Sequence, residues 1–250
     1  MMLRGDLFFI IAFFILSSAL SEKCKNDGAL KYSKEKNAKE HYNIVLIGAL
    51  GSLARKYLWK ALFTVFKQRY SDLVHFRIYA AERTGEDDGR RKVSRLLLGL
   101  VNCELDAGVD AKCSEMKRKF IEAVQYQRLK TERDFISLSD LLYENTQSMY
   151  GIEPGAPVTY EHGRLIYMAI SPSAYAVTAK YVNSYLRPRI GRPWMRIVLE
   201  KPFGHDLNSA KALAKDLSSY FNESEIYRID HYLGKATVSE MLPFRYVTVF

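Results

Sequence analysis

The apolar run Asn43-Ile44-Val45-Leu46-Ile47-Gly48, followed by a second glycine at 51 and a small residue at 54, constrains this chain more than any other feature. A nearly unbroken β-branched segment ending in glycine reads as a buried parallel strand. The next residues, Gly48-Ala49-Leu50-Gly51-Ser52-Leu53-Ala54, open a turn without a β-carbon, allow close backbone approach at Gly51, and put a small side chain where helix meets strand. Leu53, Leu58, Leu62 and Phe66 then fall on one stripe, which packs a helix over Leu53 to Phe66 onto the sheet. Val74 to Ala80 reads as the second strand, so the opening is a β-α-β unit with a right-handed crossover expected.

The alternation continues. Residues 90–150 read as mostly helical, interrupted by a polar loop between Cys103 and Cys113 and by a short returning strand at Gln125 to Gln127. Leu165 to Ile170 and Met195 to Leu199 are two more strands, with a helix between them starting near Ser173 after Pro172. Asp206 is placed to cap a helix over Leu207 to Tyr220 whose Leu213 and Leu217 face the core. The fold class is therefore α/β, a Rossmann-like doubly wound and mostly parallel sheet.

Ahead of this domain, Arg4 precedes the apolar stretch Leu7 to Leu16 and the small residues Ser17, Ser18, Ala19 and Ser21, the pattern of a secretory signal peptide over 1–21. An uncleaved anchor is the alternative, though the run is short for a span, and either reading leads into the secretory pathway. Residues 22–42 form a polar linker. In that compartment Cys103 and Cys113 can close a short loop, with two unpaired thiols as the alternative, and Asn222-Glu223-Ser224 is a glycan acceptor triplet at a helix-to-strand handover. The net charge of +9 comes from basic residues scattered among acids, with no basic-aromatic strip for base stacking, so nucleic acid is not an expected partner. No metal site is expected.

The residues that carry chemistry fall at strand ends. Beyond the glycine turn, where helix amides face phosphates, Ala81-Glu82-Arg83 ends the second strand where a ribose would lie. Glu82 there accepts from two ribose hydroxyls, whereas Arg83 grips a 2′-phosphate, so the pair leaves NAD and NADP open; a surface ion pair is the bland alternative. Further along come Glu200-Lys201-Pro202-Phe203-Gly204-His205-Asp206 and Arg228-Ile229-Asp230-His231-Tyr232-Leu233-Gly234-Lys235. An imidazole, a phenol and an ammonium at His231, Tyr232 and Lys235 suit a phosphate dianion.

With these motifs the chain, over residues 43–245, resembles the glucose-6-phosphate dehydrogenases, and within them the hexose-6-phosphate dehydrogenase branch of the endoplasmic reticulum lumen. Lys56-Tyr57-Leu58-Trp59, Gln125-Tyr126 and Leu129-Lys130-Thr131 support the likeness. The resemblance implies oxidation of glucose 6-phosphate, or a related hexose 6-phosphate, at C1 to 6-phosphogluconolactone with NADP, NAD being admitted. It implies that His231, Tyr232, Lys235 and Lys201 bind the sugar phosphate, and that Lys201 also reaches the cofactor. Ser171, Pro172 and Tyr175 would form the second wall of the nicotinamide cleft, beside the turn residues Gly48 to Ala54 and Arg83. Asp230 would orient a catalytic histidine that the family carries in a following β+α domain, of which residues 246–250 would be the start. None of the five histidines here stands in that context, so an N-terminal portion with little turnover is expected, and the family's dimer surface would lie largely in the following domain. Two departures touch the cofactor: Ser52 stands where the family turn usually has aspartate, and Ala81 where it commonly has the arginine that meets the 2′-phosphate. Ser52 is still expected to cap the helix. The rival reading is a lumenal nucleotide or sugar-phosphate binding module without catalysis.

Overall fold

The computed structural model describes residues 40–71, 74–100, 104–105, 108–109, 111–150, 161–188 and 194–230. Strand β1 (Glu40–Ile47) passes through the glycine turn into a π-helical segment (Ala54–Leu58) and helix α1 (Trp59–Arg69), then β2 (Val74–Glu82). Helix α2 (Glu86–Leu100), a short hairpin of β3 (Glu104–Leu105) and β4 (Gly108–Val109), helix α3 (Ala111–Ala123) and β5 (Val124–Arg128) follow. The remainder is α4 (Glu132–Tyr150), β6 (Glu161–Met168), α5 (Tyr175–Tyr185), β7 (Trp194–Glu200), α6 (Leu207–Tyr220) and β8 (Ile226–Ile229). Short 3-10 turns at Pro172–Ala174 and Glu223–Glu225 lead into α5 and β8.

Six of these strands form one sheet in the order β5-β2-β1-β6-β7-β8, and every pairing is parallel. Chain order reverses between β1 and β6, so a crevice opens beyond their carboxyl ends, where ligands of doubly wound sheets sit. Alternation along the central strands sorts the core into two layers. Tyr42, Ile44 and Leu46 join Phe76, Ile78 and Leu165 under Trp59, Leu62 and Phe66 of α1, Val93 and Leu97 of α2, and Phe120 of α3. Val45, Ile47, Tyr79 and Ile166 meet Leu138 and Leu142 of α4, Val182 of α5, and Leu213 and Leu217 of α6 on the other face. Each such side chain contributes roughly 1.5–3 kcal/mol through burial, which is what holds the strand ends in register at the crevice.

Several boundaries differ from the sequence expectation. β1 starts at Glu40, inside the stretch whose polarity suggests linker, because it runs between β2 and β6 and pairs with both from its first residue. Its polar members are accommodated inside: His41 and Asn43 are buried and joined by a 3.2 Å hydrogen bond. The stretch between the cysteines is not loop throughout, since β3, β4 and the start of α3 lie within it. The expected helix from Leu53 is widened into a π-turn before it becomes α-helical at Trp59. The capping role given to Asp206 holds: its carboxylate accepts from Ser209 N at 2.7 Å. No helix among the described residues is long and apolar enough to cross a membrane; the apolar leader and polar linker over 1–39 lie outside the described residues.

Candidate active site

The glycine turn is built by the neighbouring strand ends. Gly48 has a left-handed φ of 86°, and a β-carbon there would meet Ala169 O at 2.2 Å, so only glycine lets β1 turn against the end of β6. Gly48 N and Ala49 N both donate to Ala81 O, at 2.9 and 3.2 Å, and the Trp59 indole donates to Ala49 O at 2.9 Å. Ala49 and Ala54 are wholly buried, while Leu50 and Leu53 pack partly buried against the core.

Ser52 does not cap the helix. Gly51 O accepts the first helical bond, from Arg55 N at 3.0 Å, so Gly51 is the cap and Ser52 the first helical residue. Among the described residues nothing accepts from the amides of Ser52, Leu53 and Ala54, which is the ordinary state of a first helical turn and a ready anion site. A diphosphate fits that turn: it needs open amides and a glycine where backbone approaches, and Gly51 supplies the latter, with only Gly48 O (3.1 Å) and Ala169 O (3.7 Å) near its missing β-carbon.

On the other side of the crevice, β6 ends in the Ser171-Pro172 turn, with Ser171 exposed and its hydroxyl 2.9 Å from that of Ser173. Tyr175 is not a surface of the cleft. It is wholly buried, and its hydroxyl donates to Glu200 O at 2.9 Å, because the first turn of α5 packs onto the end of β7. It braces the wall from behind. Burial pushes its phenol up to about 12.

Lys201 follows β7 and Asp230 follows β8. Their side chains form an ion pair, Nζ to Oδ2 at 2.9 Å, with the lysine exposed and the acid half-buried. Lys201 N also donates to Ile229 O at 3.1 Å, and the Lys201–Pro202 peptide is cis. Beneath this pair lies a contact that the sequence did not single out: the Tyr167 hydroxyl donates to the carboxylate of buried Glu200. Burial and the adjacent Glu200 charge raise the Tyr167 phenol well above its usual range.

The ladder puts these groups along one edge. Ile47 pairs with Ala81 and Met168, Met168 with Leu199, and Glu200 with Ile229, so Glu82, Gly48, Ala169, Lys201 and Asp230 all emerge at neighbouring strand ends. At one strand spacing of about 4.8 Å per step, Glu82 and Lys201 stand three strands, about 14 Å, apart across the edge. His231, Tyr232 and Lys235 lie outside the described residues, as does Cys103. Cys113 is half-buried on α3 and disulfide-bonded. Arg83 is exposed beside Glu82, and Asn222 is exposed at the head of a 3-10 turn, where Glu225 Oε2 accepts from its amide at 2.9 Å.

Residues 45–240 match the family described as glucose-6-phosphate dehydrogenase, NAD binding domain. The chain belongs to the glucose-6-phosphate dehydrogenase family. It is 39% identical over 205 residues to the GDH/6PGL endoplasmic bifunctional protein of Oryctolagus cuniculus, covering 82% of this chain and 24% of that protein, and matches the Homo sapiens counterpart equally. The glucose-6-phosphate 1-dehydrogenase of Saccharomyces cerevisiae is 34% identical over 227 residues, covering 90% of this chain and 41% of the enzyme. A solved glucose-6-phosphate dehydrogenase in complex with its substrate glucose-6-phosphate superposes with a TM-score of 0.62 at 29% identity, over 86% of this chain and 41% of that one. The chain thus spans about a quarter of the endoplasmic relatives and two fifths of the yeast enzyme.

Proposed function

We propose that this chain is the dinucleotide-binding part of an enzyme that oxidises glucose 6-phosphate, or a related hexose 6-phosphate, at C1 to 6-phosphogluconolactone. The cofactor is NADP, with NAD admitted. The observation that carries the reading is the Lys201–Asp230 ion pair at the same sheet edge as the glycine turn. When bound, the nicotinamide supplies the hydride acceptor. The amides of Ser52, Leu53 and Ala54 bind the diphosphate, and Ser171-Pro172 walls the crevice on the β6 side. Lys201 holds the sugar phosphate near the cofactor, with Asp230 fixing its ammonium. His231, Tyr232 and Lys235 grasp the phosphate dianion through charge-assisted hydrogen bonds. Asp230 in addition orients a histidine base of the family's second domain and stabilises its imidazolium.

The similarity to the endoplasmic relatives supports a lumenal setting; in that setting the disulfide-bonded Cys113 pairs with Cys103 and the exposed Asn222 of an acceptor triplet carries a glycan. His41, His75 and His162 lie side by side near the amino ends of β1, β2 and β6, away from the carboxyl-end crevice, and His205 lies exposed beside Asp206, so none of these four suits the base. The 250 residues therefore bind NADP and hexose 6-phosphate with little turnover. Calorimetric titration with NADP and a coupled assay of NADPH formation test this. Binding without appreciable turnover is the expected result; absent dinucleotide binding overturns the assignment, and robust turnover overturns the placing of the base. Lys235→Ala weakens glucose 6-phosphate binding and spares NADP, whereas equal affinity in the variant contradicts the phosphate role.

A further inference from the structure

Glu82 stands at the end of β2 with both carboxylate oxygens turned to backbone. Oε2 accepts from Leu50 N in the glycine turn at 3.3 Å, and Oε1 accepts from Arg83 N at 2.9 Å. The carboxylate is half-buried and tied to the loop that cradles the diphosphate. An ionised carboxylate offers about four lone-pair sites, so two remain to accept from the vicinal hydroxyls of an adenosine ribose.

Three further acids stand nearby, two of them paired with cations. Glu86, Asp87 and Asp88 occupy the first turn of α2, immediately after the loop that leaves β2. Glu86 accepts from Arg128 N at 3.1 Å and from Arg90 at 3.1 Å, while Asp88 is paired with Lys92 at 2.6 Å. The Tyr126 ring, which fills the space left by the missing β-carbon of Gly89, donates to Thr84 O at 2.6 Å. Burial first, then the charges of Glu82, Glu86 and Asp88 against that of Arg128, push its phenol up to about 12. Two cations flank Glu82: Arg128, its register partner on β5, is held by Asp134 at 2.7 Å, and Arg83 has an exposed guanidinium that makes no hydrogen bond or ion pair among the described residues. A fixed, half-buried anion outweighs a solvated arginine that must give up its hydration and side-chain freedom to meet a phosphate.

We infer that Glu82 tempers the preference for NADP: it binds the free ribose hydroxyls of NAD and opposes the 2′-phosphate of NADP, so that NADP is held less tightly than the glycine turn alone would allow and NAD is admitted beside it. This rests on the dinucleotide reading above. The test is calorimetric titration of the 250-residue chain and of Glu82→Gln with NAD, NADP, adenosine 5′-monophosphate and adenosine 2′,5′-bisphosphate. Removing one charge at a contact distance is expected to move the NADP-to-NAD affinity ratio roughly ten-fold toward NADP, with the two adenosine fragments following in the same direction. Glu82→Ser, which also vacates the ribose contact, moves the ratio the same way, and thermal melting reports whether either variant is folded. A ratio unchanged in both folded variants, or equal weakening of NAD and NADP, overturns the inference and leaves Glu82 as a brace of the turn. Arg83→Ala is expected to move the ratio by much less; a larger change there than at Glu82 also overturns it. Failure of the unaltered chain to bind either dinucleotide refutes the nucleotide reading itself, and this inference with it.

Discussion

Replacing Gly48 by alanine tests the architecture of the cleft, because two independent penalties meet there. The residue holds φ 86°, and left-handed backbone costs an L side chain roughly 1–2 kcal/mol. The added β-carbon would also lie 2.2 Å from Ala169 O and 2.9 Å from Ala169 C, which are backbone atoms of the adjoining central strand end and cannot swing away like a side chain. Forcing β1 and β6 apart at that point costs a further ~1–3 kcal/mol, as overpacking in a core does. The sum, about 2–5 kcal/mol, corresponds to a fall in Tm of roughly 5–15 °C for a domain of this size. Gly51 gives the contrast, since a β-carbon there approaches only Gly48 O at 3.1 Å and Ala169 O at 3.7 Å. Gly51→Ala is expected to melt within ~3 °C of the unaltered chain, a loss of no more than about 1 kcal/mol, yet to bind NADP at least ~10-fold more weakly, since its methyl occupies the diphosphate approach. Differential scanning calorimetry and NADP titration on both variants read the two effects separately. A Gly48→Ala chain that melts with the parent, or a Gly51→Ala chain that loses as much stability as Gly48→Ala, refutes the reasoning.

Other consequences can be checked alongside. Burial alone would raise the Asp134 carboxyl, but Arg128 and the amides of Thr131 and Lys130 outweigh it and hold it at about 2. Its depressed value means a contribution on the order of 2 kcal/mol that is full above the ordinary carboxylate range and fades as pH falls from about 4 through about 2; urea titrations of Asp134→Asn should show the full deficit at pH 7 and roughly a third of it at pH 2.5. Tyr167→Phe removes the hydroxyl that reaches buried Glu200 and should cost ~1–3 kcal/mol in the same assay; an unchanged midpoint rules out a bracing role for this pair. Trp59→Phe loses the 2.9 Å bond to Ala49 O and leaves part of a fully buried indole's volume empty, so it should cost about 2–4 kcal/mol in stability and also weaken NADP binding; an unchanged NADP affinity contradicts a role for this bond in shaping the turn. Expressed through a secretory pathway, Asn222→Gln should lose a glycosidase-sensitive mobility shift, and a parent chain without that shift contradicts glycosylation at the exposed turn.

The sequence carried the strand-turn-helix centre plainly, since β1, β2, β6 and β7 are apolar runs bounded by glycine, proline or charge, and a sheet covered on both faces needs such runs. The Asp206 cap was legible for the same local reason. What escaped was set by tertiary contact. Glu40 to Tyr42 look like linker because their polarity is local, while their pairing with β2 and β6 is not. Tyr175 reads as a cleft residue from its position after Ser171-Pro172, but the packing of α5 directs it into the core toward Glu200. The Glu82 contact with Leu50 N joins residues 32 apart, a closeness that only the parallel ladder between β1 and β2 creates. The rank of acids Glu86, Asp87 and Asp88 marks the start of α2 by a local signal, negative charge at a helix amino end.

The central claim concerns where a dinucleotide lies, and backbone amide NMR during titration with NADP tests it most directly. The account predicts that the amides of Ser52, Leu53 and Ala54, together with those of Glu82 and Lys201, shift along one saturable curve. Saturable binding that leaves these five amides unmoved, and instead shifts residues at the amino ends of β1 and β6, would contradict it.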